Sequence, residues 1–181
     1  IQVHGGMGFI EETGAAQHLR DARIAPIYEG TNGIQALDLI GRKLLRDNGA
    51  AMRSLITEMR MSVSKPHLDD NLSKAARIFG PAIDTLEQTT EDILSRCKNS
   101  SGLAQAIASP YLRQTSICAA GWLMFRSLEK LTDSDIEEGF AKAKGLSCNF
   151  FLAQIVPEAD FMAQQIANTR HELLHETAPL F

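Results

Sequence analysis

The amino-acid sequence predicts an all-α protein, and three observations point to this fold class. Apolar residues recur at three- and four-residue spacing through most of the 181 residues. Sustained alternation of apolar and polar residues, which indicates half-buried strands, is missing from the sequence. Beyond residue 49, short polar breaks separate four long amphipathic segments, a pattern that is typical of an up-and-down antiparallel helical bundle.

The chain begins with a loop and a short helix. Three closely spaced glycines predict the loop, namely Gly5, Gly6 and Gly8. Residues 11–23 predict the helix, which we expect to end at Pro26 because proline disrupts helical hydrogen bonding. A polar turn over residues 29–33 follows, where Thr31 or Asn32 is a candidate N-cap for the next helix. This opening region therefore consists of a loop, a helix and a second loop.

The next helix is predicted from one apolar face, which comprises Ile34, Leu37, Ile40, Leu44 and Leu45. Asn48-Gly49 can end or bend this helix, because both residues tolerate the left-handed backbone conformation. After this point the amphipathic segments of the sequence become longer. We therefore predict one domain over residues 1–48 and a helical bundle domain over residues 49–181.

The first two bundle helices are bounded by prolines and acidic residues. The first carries a stripe of Met52, Leu55, Ile56, Met59 and Val63. It should end at Lys65-Pro66, because proline cannot continue a helix. The second should begin near Asp69-Asp70, and we expect Pro81 to bend it or split it. It should end in the polar run at residues 99–102.

The last two bundle helices are predicted from about Leu103 to Leu131 and from a cap at Ser134 to about Ile155. Ser134 and Glu137 have the spacing of a capping box, which predicts the start of the fourth helix. We expect a kink at Pro157 and a frayed tail after residue 170.

Composition excludes several classes of protein. The formal net charge is -4 and the sequence pI is about 5.7, so there is no basic surface for nucleic acid. No segment is apolar for long enough to predict a membrane span. Cys97, Cys118 and Cys148 are far apart and set among apolar residues, which favours reduced thiols in a cytoplasmic protein. Ile1 stands where a complete chain would have Met, so we expect a piece of a longer polypeptide.

Three short motifs in the first 35 residues carry the chemical information. They are Gln2-Val3-His4-Gly5-Gly6-Met7-Gly8-Phe9, then Arg20-Asp21-Ala22-Arg23-Ile24, then Tyr28-Glu29-Gly30-Thr31-Asn32-Gly33. Taken alone, the glycines indicate a tight turn more readily than a cofactor contact. Taken alone, Glu29 is more readily a loop carboxylate near a helix N-terminus, and Thr31 could be a helix N-cap whether or not it also contacts a cofactor.

All three motifs, in this order and spacing, resemble the end of the C-terminal helical domain of the acyl-CoA dehydrogenase family. In that family a Gln-x-x-Gly-Gly-x-Gly loop precedes Tyr-Glu-Gly-Thr. From Gly49 onward, the chain resembles the extra helical domain of a subgroup that includes the 3-methylmercaptopropionyl-CoA dehydrogenases. This second likeness is carried by Arg113, by the segment 119–124 and by the segment 150–157.

The resemblance implies α,β-dehydrogenation of an acyl-CoA thioester to a trans-2-enoyl-CoA, as in fatty acid β-oxidation. Glu29 would be the catalytic base that removes the α-proton, while the β-hydrogen leaves as hydride to N5 of FAD. The backbone N–H of Glu29 would bind the thioester oxygen and stabilise the developing enolate charge. Gly30 would let the backbone come close to the substrate.

The resemblance also implies cofactor contacts and partners. Thr31 would contact the flavin phosphates, and Gln2, Gly5 and Gly6 would contact the FAD of a neighbouring subunit in a homodimer or tetramer. Electron transfer flavoprotein or a similar acceptor would take the electrons. One departure puts a cofactor contact in doubt, because Gly33 stands where many family members have a glutamine. Acyl chain length, substrate identity and oligomeric state do not follow from the sequence.

Two further patterns have simpler interpretations. Residues 171–175 read His-Glu-Leu-Leu-His and match a zinc-protease motif. Only six residues follow, which leaves little room for a third ligand, so we predict no metal site there. Trp122, Met124 and Phe125 have the spacing of core residues rather than of a ligand pocket.

We therefore expect the C-terminal part of an FAD-dependent acyl-CoA dehydrogenase, inactive in isolation. The alternative is a helical oligomerisation or interaction module without catalysis of its own.

Overall fold

In the computed structural model, every described element is helical, which confirms the all-α fold class. The structure describes residues 1–28, 31–65, 69–98, 100–131 and 136–170, and no strand occurs among them. None of the helices in these ranges is long and apolar enough to cross a membrane.

The chain forms two compact units, Ile1–Ile34 and Gln35–Phe181. The first unit contains short 3₁₀ helices and one α-helix, whereas the second contains the helical bundle. The predicted family domains, residues 1–48 and 49–181, are defined by sequence resemblance and not by compactness, so their boundary stays a prediction.

The first unit begins with two 3₁₀ helices, Gln2–Gly8 and Glu11–Thr13, which precede helix α1, Ala15–Ile27. The predicted helix limits are wrong at both ends. Gly14 adopts a left-handed conformation with φ 73°, so the residues before it cannot join α1. Pro26 lies within the last turn of α1, where it removes one backbone donor while the following N–H groups still find acceptors.

Helix α2, Thr31–Asp38, continues into a π-helical segment, Leu39–Leu45. Its predicted apolar face is only partly correct. The buried residues are Ala36, Ile40 and Leu44, whereas Ile34 is 64% exposed and Leu37 is 45% exposed. A π turn holds more residues than an α turn, so residues four apart remain on one face of this segment. As predicted, the helix ends at Asn48-Gly49, which have φ values of 53° and 80°.

In the described ranges, the bundle contains five α-helices and a second π-helical segment. Their bounds are α3 Ala50–Val63, α4 Asp70–Arg96, α5 Ser101–Lys130, α6 Glu138–Phe150, the π segment Phe151–Ile155 and α7 Glu158–Asn168. Helix α5 is central, since it packs against α4, α6, α7 and both π segments. Helix α4 also packs against α3 and α7. The predicted breaks near residues 65, 100 and 157 are therefore confirmed.

Side-chain caps fix the starts of three bundle helices. Asp69 accepts a hydrogen bond from the Leu72 N–H at 2.9 Å, which begins α4 as predicted. Ser100 accepts from the Leu103 N–H at 3.4 Å at the start of α5. Glu137 caps α6 directly by accepting from the N–H groups of Gly139 and Phe140.

The capping box predicted from Ser134 and Glu137 is therefore wrong in the role of Glu137, which is itself the N-cap of α6. A glutamate can reach the free N–H groups of the first turn when it lies just before the helix. Ser134 lies outside the described residues. Pro81 neither splits α4 nor ends it, and the helix runs continuously from Asp70 to Arg96.

The core is centred on α4 and α5. Its largest fully buried side chains include Phe79, Ile83, Leu86, Ile107, Tyr111, Phe125 and Leu152. Gly121 on α5 allows a close approach between neighbouring segments of this core. A Cβ atom at Gly121 would lie 2.9 Å from Cγ2 of Val156 and 3.0 Å from Cε2 of Phe79. The glycine is therefore required by packing between helices rather than by its backbone conformation.

The three cysteines are buried free thiols in the bundle. Burial raises the pKa of Cys97 and of Cys148, and it raises the pKa of Cys118 to about 12. Tyr111 is also fully buried, and its hydroxyl forms a 2.9 Å hydrogen bond with Thr90 Oγ1. Burial raises the pKa of Tyr111 from 10.0 to about 12.

The raised pKa of Tyr111 predicts a loss of stability in alkali. Because the folded-state pKa lies above the unfolded value, the contribution of Tyr111 is complete below pH 10 and declines between pH 10 and 12. Cys118 adds a decline that starts at about pH 9. We expect the urea midpoint of the chain to fall steeply above about pH 9, and Tyr111→Phe to reduce this fall above pH 10.

The measurement is urea unfolding from neutral pH to about pH 11, followed by circular dichroism. Tyr28→Phe is the matched control, because Tyr28 is 63% exposed and should leave the pH dependence unchanged. Equal pH slopes for Tyr111→Phe and the wild type would contradict the assignment.

Candidate functional site

The glycine loop of the first unit is a compact 3₁₀ turn. The His4 N–H donates to the Ile1 carbonyl at 3.0 Å, and the Phe9 N–H donates to the Gly6 carbonyl at 3.3 Å. Gly5 has φ 58° and ψ -139°, a backbone conformation that favours glycine. Gly8 is buried against Ile1, so a side chain there would collide with the Ile1 backbone.

The surface of this turn is open above Gly5 and Gly6. A Cβ atom at either position would meet no described atom within 4 Å other than those of its chain neighbours. Positive φ explains the glycine at position 5, whereas no contact among the described residues requires a glycine at position 6. The side chain of Gln2 is exposed beside them. An open turn with exposed backbone polar groups can receive an external group at close range.

The side chain of Thr13 links the second 3₁₀ helix to the glycine turn by hydrogen bonds. Its hydroxyl donates to the carbonyls of Met7 at 2.8 Å and Ile10 at 3.2 Å. Gly14 then starts α1, and its carbonyl accepts from the His18 N–H. Sequence reasoning did not identify Thr13 as a structural anchor, although a threonine that ends a polar loop is a common signal for such a bond.

The second part of the site lies between α1 and α2. The Tyr28 carbonyl accepts both the N–H of Thr31, at 3.3 Å, and the hydroxyl of Thr31, at 2.8 Å. Thr31 therefore binds back toward the end of α1, and it is the first residue of α2 rather than its N-cap. Glu29 and Gly30 lie outside the described residues.

The exposed face of α1 adds two cations to the first unit. Leu19, Arg20, Arg23 and Ile27 line a shallow groove of about 460 Å³ on this face. Arg20 lies 3.4 Å from Glu11, and both side chains are largely exposed, so this ion pair contributes little to stability. The sequence motif Arg20-Asp21-Ala22-Arg23 marks this part of α1, but it predicts no role for either arginine.

The structure places the predicted site residues in two local clusters within one unit. Gln2, Gly5 and Gly6 share the glycine turn, and Thr31 lies at the start of α2. These residues fit a group that needs close backbone approach and polar donors, as FAD does. Trp122, Met124 and Phe125 pack in or against the core, as predicted. The motif at residues 171–175 lies outside the described residues, and the described ranges contain no group of three or more metal-ligating residues.

Two family models match the chain over adjacent segments. "Acyl-CoA dehydrogenase, C-terminal domain" matches residues 1–45, and "Acetyl-CoA dehydrogenase C-terminal like" matches residues 52–175. Both descriptions name C-terminal regions of CoA-linked dehydrogenases, and the all-α fold and the glycine turn of this chain agree with that class of protein. The chain belongs to the acyl-CoA dehydrogenase family. This family is generally FAD-dependent.

Individual relatives are similar over different parts of the chain. The 3-methylmercaptopropionyl-CoA dehydrogenase of Ruegeria pomeroyi is 37% identical over 96% of this chain and 30% of its own length. A butyryl-CoA dehydrogenase of Syntrophomonas wolfei is 30% identical over 87% of this chain and 27% of its own length. The human mitochondrial short-chain specific acyl-CoA dehydrogenase is 54% identical over 44 residues, which are 24% of this chain and 11% of that protein. The chain therefore spans less than a third of the length of these relatives.

Proposed function

We propose that this chain is the C-terminal part of an FAD-dependent enzyme that converts an acyl-CoA to a trans-2-enoyl-CoA. The observation that carries the proposal is the joint presence of the glycine turn and the Tyr28-Glu29-Gly30-Thr31 segment in one unit of a family member. FAD, when bound, supplies the acceptor for the hydride that leaves the β-carbon. The bond formed in the substrate is the double bond between the α- and β-carbons.

The proposed work of this chain is proton removal and positioning. Glu29 takes the α-proton onto its carboxylate, which needs a desolvated environment to act on a weak carbon acid. The Glu29 N–H donates to the thioester oxygen, where negative charge develops as the proton leaves. Gly30 permits close approach of the backbone to the substrate.

The proposed cofactor contacts come from both clusters of the first unit. Thr31 contacts a flavin phosphate from the start of α2, and to donate to it the Thr31 hydroxyl has to turn away from the Tyr28 carbonyl. Gln2, Gly5 and Gly6 contact the FAD of a neighbouring subunit, consistent with the open space above the two glycines. Gly33 offers no side chain to the cofactor, so this contact is lost or moved. These assignments require a homodimer or tetramer.

A second candidate function is a helical interaction module. The first unit exposes several large apolar side chains, including Val3 at 97%, Phe9 at 82% and Ile27 at 66%. Such residues indicate surfaces that another protein segment covers. This candidate differs in its prediction for the isolated chain, which would form a colourless helical oligomer instead of binding flavin.

We expect the complete parent protein to carry FAD and to lose its flavin absorbance when the matching acyl-CoA is added without an acceptor. The measurement is an absorbance spectrum with acyl-CoAs of several chain lengths, including branched and thioether forms. Electron transfer flavoprotein should restore the absorbance. A cytoplasmic location and the family domains 1–48 and 49–181 belong to the same proposal.

The isolated 181-residue chain is the control for this experiment. We expect it to show no acyl-CoA turnover with a dye acceptor, because most of the length of its relatives is missing from it. Turnover by the isolated chain would contradict this expectation. A parent protein that binds no flavin would overturn the dehydrogenase proposal and leave the interaction module.

A further inference from the structure

We infer that the bundle contains a second binding site, a groove that takes a single-chain anionic amphiphile such as a fatty acid. The groove lies between the C-terminal half of α5 and the N-terminal half of α6, with the end of α3 at its edge. Its volume is about 640 Å³, which is within the range of known ligand pockets. The inference concerns the bundle and is independent of the proposed dehydrogenation.

The polar lining of this groove is strongly cationic. Among the described residues that line it, four are basic, namely Lys65, Arg126, Lys130 and Lys144, and one is acidic, namely Glu129. This local excess of positive charge contrasts with the net charge of -4 for the whole chain. The groove therefore favours a ligand with an anionic head group.

Three of the groove cations, Lys65, Arg126 and Lys144, form no ion pair with a carboxylate of the described residues. Several other cations of the bundle do form such pairs, for example Arg53 with Glu91, Arg60 with Asp84 and Glu87, and Arg113 with Glu158. Within the part of the chain that the structure describes, the charges of the three groove cations are therefore not occupied by a carboxylate.

Arg126 is held in place before any ligand binds. Its guanidinium carbon lies 5.1 Å from the centre of the Trp122 ring, a cation–π contact. The indole N–H of Trp122 donates to Ser62 Oγ on α3 at 2.9 Å, which fixes the ring. A positioned arginine can form two parallel hydrogen bonds to a carboxylate. Arg126 is thus the best candidate to bind the head group.

The remaining lining of the groove is apolar and suits an alkyl chain. Leu123 is 53% exposed and Phe140 is 59% exposed, and both line the groove together with Leu131 and Ile136. Large apolar side chains of this kind are costly to leave in water. Apolar and cationic groups lie side by side along one concave surface, which matches an alkyl carboxylate better than a fully hydrophilic anion.

The test is a titration of the 181-residue chain with dodecanoate below its micellisation concentration. Isothermal titration calorimetry measures the affinity, and fluorescence reports on the site because Trp122 is the single tryptophan. We expect saturable binding with one site. The double variant Arg126→Gln/Lys144→Gln should weaken binding by about tenfold or more, since two charge-assisted contacts are lost. The matched control is Arg53→Gln/Arg113→Gln, which removes two paired cations outside the groove and should leave the affinity unchanged.

Five further outcomes decide the inference. Phe140→Ser should weaken dodecanoate binding, and neutral dodecyl maltoside should bind far more weakly than dodecanoate. Equal dodecanoate affinity in the wild type and the groove double variant would overturn the inference. It would also be overturned if the groove double variant bound dodecanoate as the wild type does but lost binding to anionic phosphatidylglycerol vesicles. The ligand of the groove would then be a membrane surface. Failure of the complete parent protein to bind dodecanoate would overturn it too.

Discussion

Glu29→Gln in the complete parent protein is expected to abolish dehydrogenation while FAD remains bound. Glutamine keeps the size of the side chain but cannot accept the α-proton. Because a positioned general base contributes about 10²–10⁴-fold to a rate, kcat should fall by at least that factor. The proposed oxyanion donor is the backbone N–H at the same position, so substrate binding should persist. Stopped-flow reduction of the flavin by an acyl-CoA measures the chemical step directly.

The control for this experiment is Glu12→Gln, which removes an exposed carboxylate from the same unit. It should retain the wild-type rate of flavin reduction. A near-normal rate in Glu29→Gln would exclude Glu29 as the base. Loss of FAD from this variant would instead indicate a structural role for the side chain.

Gly121→Ala is expected to destabilise the bundle by about 1–3 kcal/mol, although alanine is the better helix former. The added methyl group would lie 2.9 Å from Val156 and 3.0 Å from Phe79. Both neighbours are buried, so they cannot move without disturbing the contacts between α5, α4 and the segment before α7. Urea unfolding monitored by circular dichroism gives the free energy of unfolding.

Gly145→Ala provides the matched control within α6. A Cβ atom at Gly145 would lie 3.6 Å from Leu131 Cδ1, an ordinary contact. Gly145→Ala should therefore stabilise the chain by about 0.5–1 kcal/mol, because glycine is unfavourable in a helix interior. If both variants changed stability in the same direction, the close approach at Gly121 would not be the cause.

The sequence predicts those parts of the fold whose signals are local. Asp69 caps α4 and Asn48-Gly49 end the preceding helix, because caps and left-handed turns depend on a few neighbouring residues. The apolar stripe of α3 is correct for the same reason, since its spacing follows the helical period. Local signals of this kind are sufficient to predict the helix order of the bundle.

Features that depend on tertiary packing could not be predicted. The π segments Leu39–Leu45 and Phe151–Ile155 have no distinct periodicity in the sequence. Pro81 and Pro26 look like helix breaks, yet both lie inside helices. Helix α4 around Pro81 is packed in the core, whereas Pro26 lies in the last turn of an exposed helix. The requirement for glycine at position 121 appears only when Phe79 and Val156 are seen on either side of it.

The sequence motifs propose residues for the candidate site but give no geometry for them. The proposed residues are Gln2, Gly5, Gly6, Glu29 and Thr31, and the structure groups the first three in one turn. The bond from the Thr31 hydroxyl to the Tyr28 carbonyl was not foreseen, because a threonine after a loop more often caps the following helix. The roles of these residues stay proposals, because they depend on contacts with a cofactor and a substrate, which a sequence motif does not locate.

The buried cysteines have a practical consequence for studying motions of the bundle. Their raised pKa values leave almost no thiolate at neutral pH, so alkylating reagents should react with them only when the helices separate locally. The modification rates of Cys97, Cys118 and Cys148 would then report local opening at the end of α4, in α5 and in α6, respectively. A cysteine introduced on the surface would accept a spectroscopic label long before these natural thiols, without any need to replace them.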